Sequence, residues 1–456
     1  MVHQPSNSGA SDVTDRRSGR HCDNHGAVAA HDVHGVLARS REAKALWAQL
    51  RVSIRCSYLA KALEELDAVR DELAAVISRE TGKASSSARG EVTRTIDVIT
   101  SSLPEYPRAF RRSLVTDGQL HSVVEYRPYG VCAVITPWNY PCLIPARLIV
   151  PALAGGNVVI AKPSERSPES TTRFVDALRR SLPTGVLQVA HGDGTTARQL
   201  IEAGVNLVAF TGSLKAGRAV LQAATASFTR VILETGGNNA MLVLEGADVD
   251  AAAGLAKECA FRNLGQTCTR IQRIYIHTRI FDSFVGRFAK SVRSLGALDT
   301  GDDAWLEPDS ARRTAELCDD ALSRGATVLC QTTTGGGAVV TALRDVPAGS
   351  RILDEEAFGP IVCVNRFDTV AEAIRMANDS DYGLAAVVVG RRRQAARVAR
   401  DLDVGMIGIN TRPIGALGTP WAGAKCSGMG FHSSIEGHRQ FAQVRVSTSA
   451  ARPSKD

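Results

Sequence analysis

Val131-Cys132-Ala133-Val134-Ile135-Thr136-Pro137-Trp138-Asn139-Tyr140-Pro141 is the stretch whose reading decides the fold. Five apolar residues, three of them β-branched, run into a turn bracketed by two prolines, as a strand buried on both faces does. Similar short runs follow at residues 157–161, 185–190, 205–210 and 230–234, with helical patterns filling most of the gaps. Five buried strands joined by crossover helices predict a parallel, doubly wound sheet, which binds ligands beyond the carboxyl ends of its strands. After Gly237 the alternation restarts at 240–244, 273–277, 326–329, 361–367, 384–389 and 406–409, which predicts a second α/β domain. Residues 331–350, with Gly335-Gly336-Gly337 near their start, read as loop with at most one short strand at 339–343. Upstream, residues 35–113 are helical in pattern: Ile54, Tyr58, Ala62 and Leu66 recur every four positions, and Gly82 is placed to stop a helix. Residues 122–134 alternate loosely around Pro128-Tyr129-Gly130, the pattern of a hairpin leading into a buried strand.

Composition narrows the function classes. Of 456 residues 44% are hydrophobic and 22% charged, enough for two or three ordinary globular domains. The net charge of +7 lies in short clusters such as Arg391-Arg392-Arg393, with no basic run interleaved with aromatics, so nucleic acid is not an expected partner. The ten cysteines lack CxxC spacing, which argues against structural zinc and fits a reducing, cytoplasmic setting with no metal site. The apolar run 143–161 is broken by Pro145, Arg147, Pro151 and Asn157, so no membrane span is expected. Residues 1–31 are rich in Ser, Gly, Asp and His and read as a disordered tail.

Several segments carry chemistry. Glu234, in Leu233-Glu234-Thr235-Gly236-Gly237, and Cys268, in Gly265-Gln266-Thr267-Cys268-Thr269, offer a base and a nucleophile for attack on a carbonyl. Asn139, between two prolines, suits a preorganised oxyanion donor, although a turn-forming asparagine has the same look. Lys162 and Glu165, after the second strand, can hydrogen-bond ribose hydroxyls, or form a surface ion pair of little consequence. Phe210-Thr211-Gly212-Ser213 ends the fourth strand and opens a helix whose amino terminus can hold a diphosphate, or simply be capped by the serine. Glu356 and Phe358 place an acid two residues from a ring, able to hold a ribose and flank a second ring. Gly192-Asp193-Gly194-Thr195-Thr196-Ala197 matches a dinucleotide fingerprint, but its place after the third strand favours a plain loop.

Taken in order, these motifs resemble the aldehyde dehydrogenase superfamily over roughly residues 32–445. The resemblance implies oxidation of an aldehyde, a semialdehyde among the options, to a carboxylic acid through a cysteine thioester, with NAD or NADP as cofactor. It implies that Cys268 attacks, that Asn139 and the Cys268 N–H hold the oxyanion, and that Glu234 is the base. Lys162, Glu165 and Glu356 then hold ribose hydroxyls, Phe358 lies by the nicotinamide ribose, Gly212 and Ser213 meet the diphosphate, and Thr136 and Trp138 complete the cofactor set. Glu165 favours NAD, because it accepts from a free 2'-hydroxyl and repels a 2'-phosphate.

The expected fold class is α/β: a doubly wound parallel-sheet cofactor domain (32–114 and 131–236), a second α/β catalytic domain (237–432) and a small β oligomerisation arm (115–130 and 433–456). A homodimer or homotetramer is expected. Two alternatives stand beside hydrolysis: a CoA-acylating semialdehyde dehydrogenase, disfavoured by Glu234, and a catalytically silent protein of the same fold. The chain also departs from the family pattern. Asn238-Asn239 follows Gly236-Gly237 where a lysine is usual, similar to succinylglutamate semialdehyde dehydrogenases. Pro420-Trp421-Ala422-Gly423 replaces Pro-Phe-Gly-Gly, Phe431 stands where arginine is common, and Arg262 near the nucleophile hints at an acidic substrate.

Overall fold

The computed structural model describes residues 32–297 and 307–450; the tail expected at 1–31 and the end of the 433–456 segment lie outside them. The amino-terminal helical pattern becomes five helices, from Val33–Gln49 to Tyr106–Ala109. Gly82 adopts a left-handed φ of 62° and ends the helix Arg70–Thr81. Trp47, fully buried, donates its indole N–H to the Leu153 carbonyl at 3.0 Å and so fastens these helices to the helix Leu143–Ala154.

That layer covers a six-stranded sheet. Its order is Gly428–Met429, Arg230–Glu234, Leu207–Thr211, Val131–Ile135, Val158–Lys162, Leu187–Val189. The last five are parallel, and Gly428–Met429 runs antiparallel along Arg230–Glu234. The chain builds outward from the central strand Val131–Ile135 to one side, then crosses to lay Leu207–Thr211 on its other side. This reversal of winding opens a crevice at the carboxyl ends of the strands.

A second sheet of seven strands runs Thr327–Thr333, Val339–Arg344, Ile361–Phe367, Ile271–His277, Asn239–Val243, Ala385–Val389, Met406–Ile409. Its first pair is antiparallel and its other neighbours are parallel. Glu234 ends a strand of the first sheet and Asn239 begins a strand of the second, so the carboxyl edge of one sheet meets the amino edge of the other within a few residues.

Two sequence expectations need correction. Residues 122–134 are not a hairpin: Leu120–Pro128 pairs with Ser113–Thr116 and with Ala442–Ala450 in a separate three-stranded antiparallel sheet. At Gly130, φ 132°, the chain passes into the six-stranded sheet. Ser113–Thr116 and Leu120–Pro128 form a hairpin that precedes the buried strand, while the second partner of Leu120–Pro128 comes from the far end of the chain, which local alternation cannot reveal. The short strand expected at 339–343 is present as Val339–Arg344, but the loop expected from 331 begins only at Thr334, because Thr327–Thr333 continues as strand and pairs with Val339–Arg344. A threonine-rich edge strand carries no apolar period to betray it.

One buried ion pair braces the turn after the central strand. Lys83 Nζ meets Glu91 Oε2 at 2.5 Å with both side chains almost wholly buried, and the ammonium sits 3.9 Å from the Tyr140 ring centroid. Glu91 Oε1 also accepts the N–H groups of Cys142 and Leu143 at 3.0 and 3.2 Å, at the amino terminus of the helix Leu143–Ala154. A carboxylate there is favoured by the helix dipole. Removing the cation leaves a buried charge without its partner, so Lys83→Met is expected to cost about 3–5 kcal/mol of stability, measured as a lowered midpoint in chemical denaturation.

Candidate active site

The carboxyl edge of the six-stranded sheet carries Thr136, Lys162, Thr211 and Glu234 at or just beyond its strand ends. They open on a cleft of about 970 Å³ that is also lined by Trp138, Asn139, Glu165, Gly212, Ser213, Cys268, Glu356 and Phe358. Every residue expected from the sequence to be catalytic or cofactor-binding therefore borders one cavity, of the size that holds a cofactor with its substrate.

Cys268 and Glu234 face each other at the inner end. Cys268 is half-buried, with its thiol turned inward beside the carboxyl. Burial, reinforced by the adjacent Glu234 charge, pushes the thiol well above its ordinary value. Burial likewise raises the Glu234 carboxyl to about 7, although the neighbouring Cys268, Trp421 and Thr211 and the charge of Arg147 pull the other way. At neutral pH the thiol keeps its proton, and the carboxyl is poised to take one. Glu234 Oε1 and Asn139 Oδ1 are buried without a hydrogen-bond partner among the described residues. Asn139 Nδ2 donates to the Gln266 carbonyl at 2.9 Å, which occupies one of its two N–H groups.

The loop that presents Cys268 is strained and then tied down. Asn263, Leu264 and Gly265 all take left-handed conformations, with φ of 52°, 52° and 72°. For leucine this costs roughly 1–2 kcal/mol. At Gly265 a side chain would collide with the Gly359 carbonyl. Asn239 then anchors the loop: its Nδ2 donates to the carbonyls of Cys268 and Arg270 at 2.8 and 2.7 Å, and its Oδ1 accepts from Ala385 N–H at 2.9 Å. Asn238 donates to the Leu353 carbonyl at 2.8 Å and so holds the segment that leads to Glu356. The two asparagines noted in the sequence only as departures thus position the loops of Cys268 and Glu356.

The outer part of the cleft fits a dinucleotide. Ser213 caps the twelve-residue helix Leu214–Thr225 by accepting from Ala216 N–H at 3.3 Å, so the amino end of this helix borders the cavity beside Gly212. Lys162 Nζ contacts the Pro163 carbonyl at 2.9 Å and Glu165 at 3.4 Å. Arg166 is engaged by Glu307 at 2.8 Å and Asp309 at 2.5 Å. Glu356 accepts Gly237 N–H at 3.0 Å, and burial raises its carboxyl to about 7. A Cβ on Gly236 would strike that carboxyl, which accounts for the glycine. Phe358, with φ of 48°, meets Trp138 edge to face at 6.2 Å. The segment Gly192 to Ala197 is not all loop: Asp193 caps the helix Gly194–Glu202.

Around Arg147, a second hollow is lined by Arg94, Arg147, Trp421, Ser433 and the segment from Gly415 to Pro420. Arg147 lies 4.8 Å from the Trp421 ring centroid, and its Nε is buried without a partner among the described residues. The sequence reading looked instead to Arg262, which is exposed. Arg147 was legible only as an interruption of an apolar run, eight residues after Asn139.

Comparison with known proteins gives the same picture. The model of the aldehyde dehydrogenase family matches residues 3–447. A 4,4'-diapolycopene aldehyde oxidase of Methylomonas sp. is 36% identical, over 89% of this chain and 79% of that one. The succinate-semialdehyde dehydrogenase [NADP(+)] GabD of Escherichia coli is 31% identical, covering 96% and 94%. Among solved structures, an NAD-dependent aldehyde dehydrogenase from Sinorhizobium meliloti superposes with a TM-score of 0.88 at 28% identity, covering 93% and 88%. The chain belongs to the aldehyde dehydrogenase family.

Proposed function

We propose that this protein oxidises an aldehyde to a carboxylic acid with a nicotinamide dinucleotide, through a thioester on Cys268. The observation that carries the reading is the burial of Cys268 against Glu234 at the inner end of a dinucleotide-sized cleft. Glu234 takes the thiol proton as sulfur bonds to the carbonyl carbon. The second Asn139 N–H and the Cys268 backbone N–H receive the resulting oxyanion, each donor being worth about 2.7–4 kcal/mol in such sites. The bound nicotinamide supplies a hydride acceptor. Glu234, once it has released its proton, removes another from water, which attacks the thioester and frees the Cys268 sulfur. A base already beside the thiol favours water over CoA as the group that resolves the thioester.

Lys162, Glu165 and Glu356 are the residues to hold ribose hydroxyls, and Gly212 and Ser213 the diphosphate, with Thr136, Trp138 and Phe358 bordering the nicotinamide end. NAD is the favoured cofactor: Glu165 would repel a 2'-phosphate, while Lys162 is engaged with Glu165 and Arg166 with Glu307 and Asp309. The relatives include NADP-dependent enzymes, so this preference rests on Glu165. The substrate we favour is an aldehyde with a distal carboxylate. Arg147 brings an incompletely satisfied guanidinium to the second hollow, and several relatives are succinate- and glutarate-semialdehyde dehydrogenases. The three-stranded sheet exposes Leu114, Val115, Val444 and Val446, an apolar surface suited to pairing with a second copy. Among the described residues, no helix is long and apolar enough to cross a membrane, and all nine described cysteines are free thiols, which fits a reducing compartment.

Three outcomes test this. First, turnover with NAD should vanish in Cys268→Ala. In the unaltered protein kcat should rise with pH through about 7, because Glu234 accepts a proton only when ionised. Glu234→Gln should lower kcat about 10²–10⁴-fold and abolish that limb. Glu356, raised to the same range, is the control: Glu356→Gln should keep the limb. Second, Arg147→Met should lower kcat/KM for succinate semialdehyde at least about tenfold more than for a neutral aldehyde of equal length, as loss of a charged hydrogen bond requires; an equal fall for both would remove the acidic substrate. Third, Glu165→Ser should raise the NADP-to-NAD ratio of kcat/KM about tenfold or more by removing a like charge; an unchanged ratio would sink the role of Glu165.

A further inference from the structure

We propose that Glu307 is a positioning residue for the nucleophile loop: its ion pair with Arg166 clasps the outer cleft from one sheet to the other, and Gln266 carries that closure to Asn139 and to the loop of Cys268. This rests on the reading of Cys268 as nucleophile and Asn139 as oxyanion donor.

The pair joins the two walls of the cleft. Arg166 follows the strand Val158–Lys162 of the six-stranded sheet, one residue beyond Glu165. Glu307 opens the helix Pro308–Ser323, whose Leu317 and Ala321 pack with Leu343, Ile361 and Cys363 of the seven-stranded sheet. Arg166, Glu307 and Asp309 all border the cavity. The Glu307 side chain is only 5% exposed, and both of its oxygens are engaged: one meets Arg166 at 2.8 Å and the other accepts the Ser310 N–H at 2.8 Å. Burying a carboxylate is costly unless a cation answers it, so Glu307 and Arg166 hold each other. Asp309, half exposed and shared with Arg312, adds less.

From Glu307 the link runs inward. Its backbone N–H donates to Gln266 Oε1 at 2.9 Å, between buried groups. Gln266 Nε2 donates to the Asn263 carbonyl at 3.2 Å, so the same side chain also holds the left-handed turn that precedes Cys268. The Gln266 carbonyl accepts Asn139 Nδ2 at 2.9 Å. A series of hydrogen bonds thus leads from Arg166 to the side chain of Asn139, and Gln266 stands two residues before Cys268. A dinucleotide that engages Glu165 steadies the residue next to Arg166. Coupling between two such places is reciprocal, so the state of the clasp bears on the Cys268 loop and the state of that loop on the clasp.

The test combines steady-state kinetics with alkylation of Cys268. Glu307→Gln keeps an acceptor for Ser310 but loses the charge that holds Arg166, so kcat with NAD and aldehyde should fall about ten- to a hundredfold, as a small misplacement of reacting groups entails. The dissociation constant for NAD should change less than about threefold, and iodoacetamide should alkylate the inward Cys268 thiol at least about threefold faster as its loop loosens. Arg166→Met should behave alike, and it serves as the probe if Glu307→Gln fails to fold. Arg166→Lys, which keeps a cation, should retain most of kcat. Arg166→Met and Glu307→Gln combined should be no slower than the worse of the two alone, because the two residues act as one unit. Falls that multiply, a loss confined to NAD affinity, or a Cys268 alkylation rate unmoved in the variants would overturn the proposal and leave the pair as a wall of the cofactor cleft. Turnover that survives Cys268→Ala would overturn the nucleophile reading itself, which separates the two failures.

Discussion

A thiol and a carboxyl buried against each other cannot both carry charge, and the site is organised around that constraint. Two adjacent anions in a medium of low dielectric repel strongly, and each loses its hydration. Cys268 therefore holds its proton far above the ordinary thiol range while Glu234 rests at about 7. Cys268 and Glu234, the proposed nucleophile and base, form one proton-sharing unit, and ionising the sulfur requires the carboxyl to accept. Arg147, buried close by, is the charge that makes a transient anion tolerable there.

Keeping such a pair in place requires rigidity from both sheets. The left-handed run Asn263-Leu264-Gly265 stores strain directly before Cys268, and strain persists only where surrounding contacts over-determine the backbone. Asn239 supplies those contacts by holding the carbonyls of Cys268 and Arg270, while Arg270, wholly buried, donates to Gly359 and Ile361 carbonyls at 2.6 Å. The loops of Cys268 and Glu356 are thereby braced against the same strands.

What the sequence disclosed follows the range of the forces involved. The inner parallel strands of both sheets were legible because they are apolar runs buried on two faces, and Gly82 because a left-handed cap needs glycine. The site motifs were legible because each is contiguous and ends a strand. Cross-sheet partners were not: the pairing of Leu120–Pro128 with Ala442–Ala450 depends on residues more than three hundred positions apart. Arg147 was hidden because a cation on an otherwise apolar helix reads as an interruption until the fold shows what it faces. Asn238 and Asn239 stand out in the sequence only as departures, because their hydrogen bonds run to backbone carbonyls on other elements, which no local pattern encodes.

The short link between the sheets has a mechanical consequence. Glu234 is the proposed base, Thr235 is bonded to the segment of Trp421, Gly236 accepts from Ser427, and Gly237 donates to Glu356. Four consecutive residues thus tie Glu234 to the segment of Trp421 and to Glu356, and the next two are the anchoring asparagines. Separating the sheets at the cleft would break hydrogen bonds in this link before it displaced any helix. Glu234 and Glu356, the proposed base and ribose ligand, are therefore set by one piece of backbone, and glycine is needed there because the Glu356 carboxyl lies where a Cβ on Gly236 would stand.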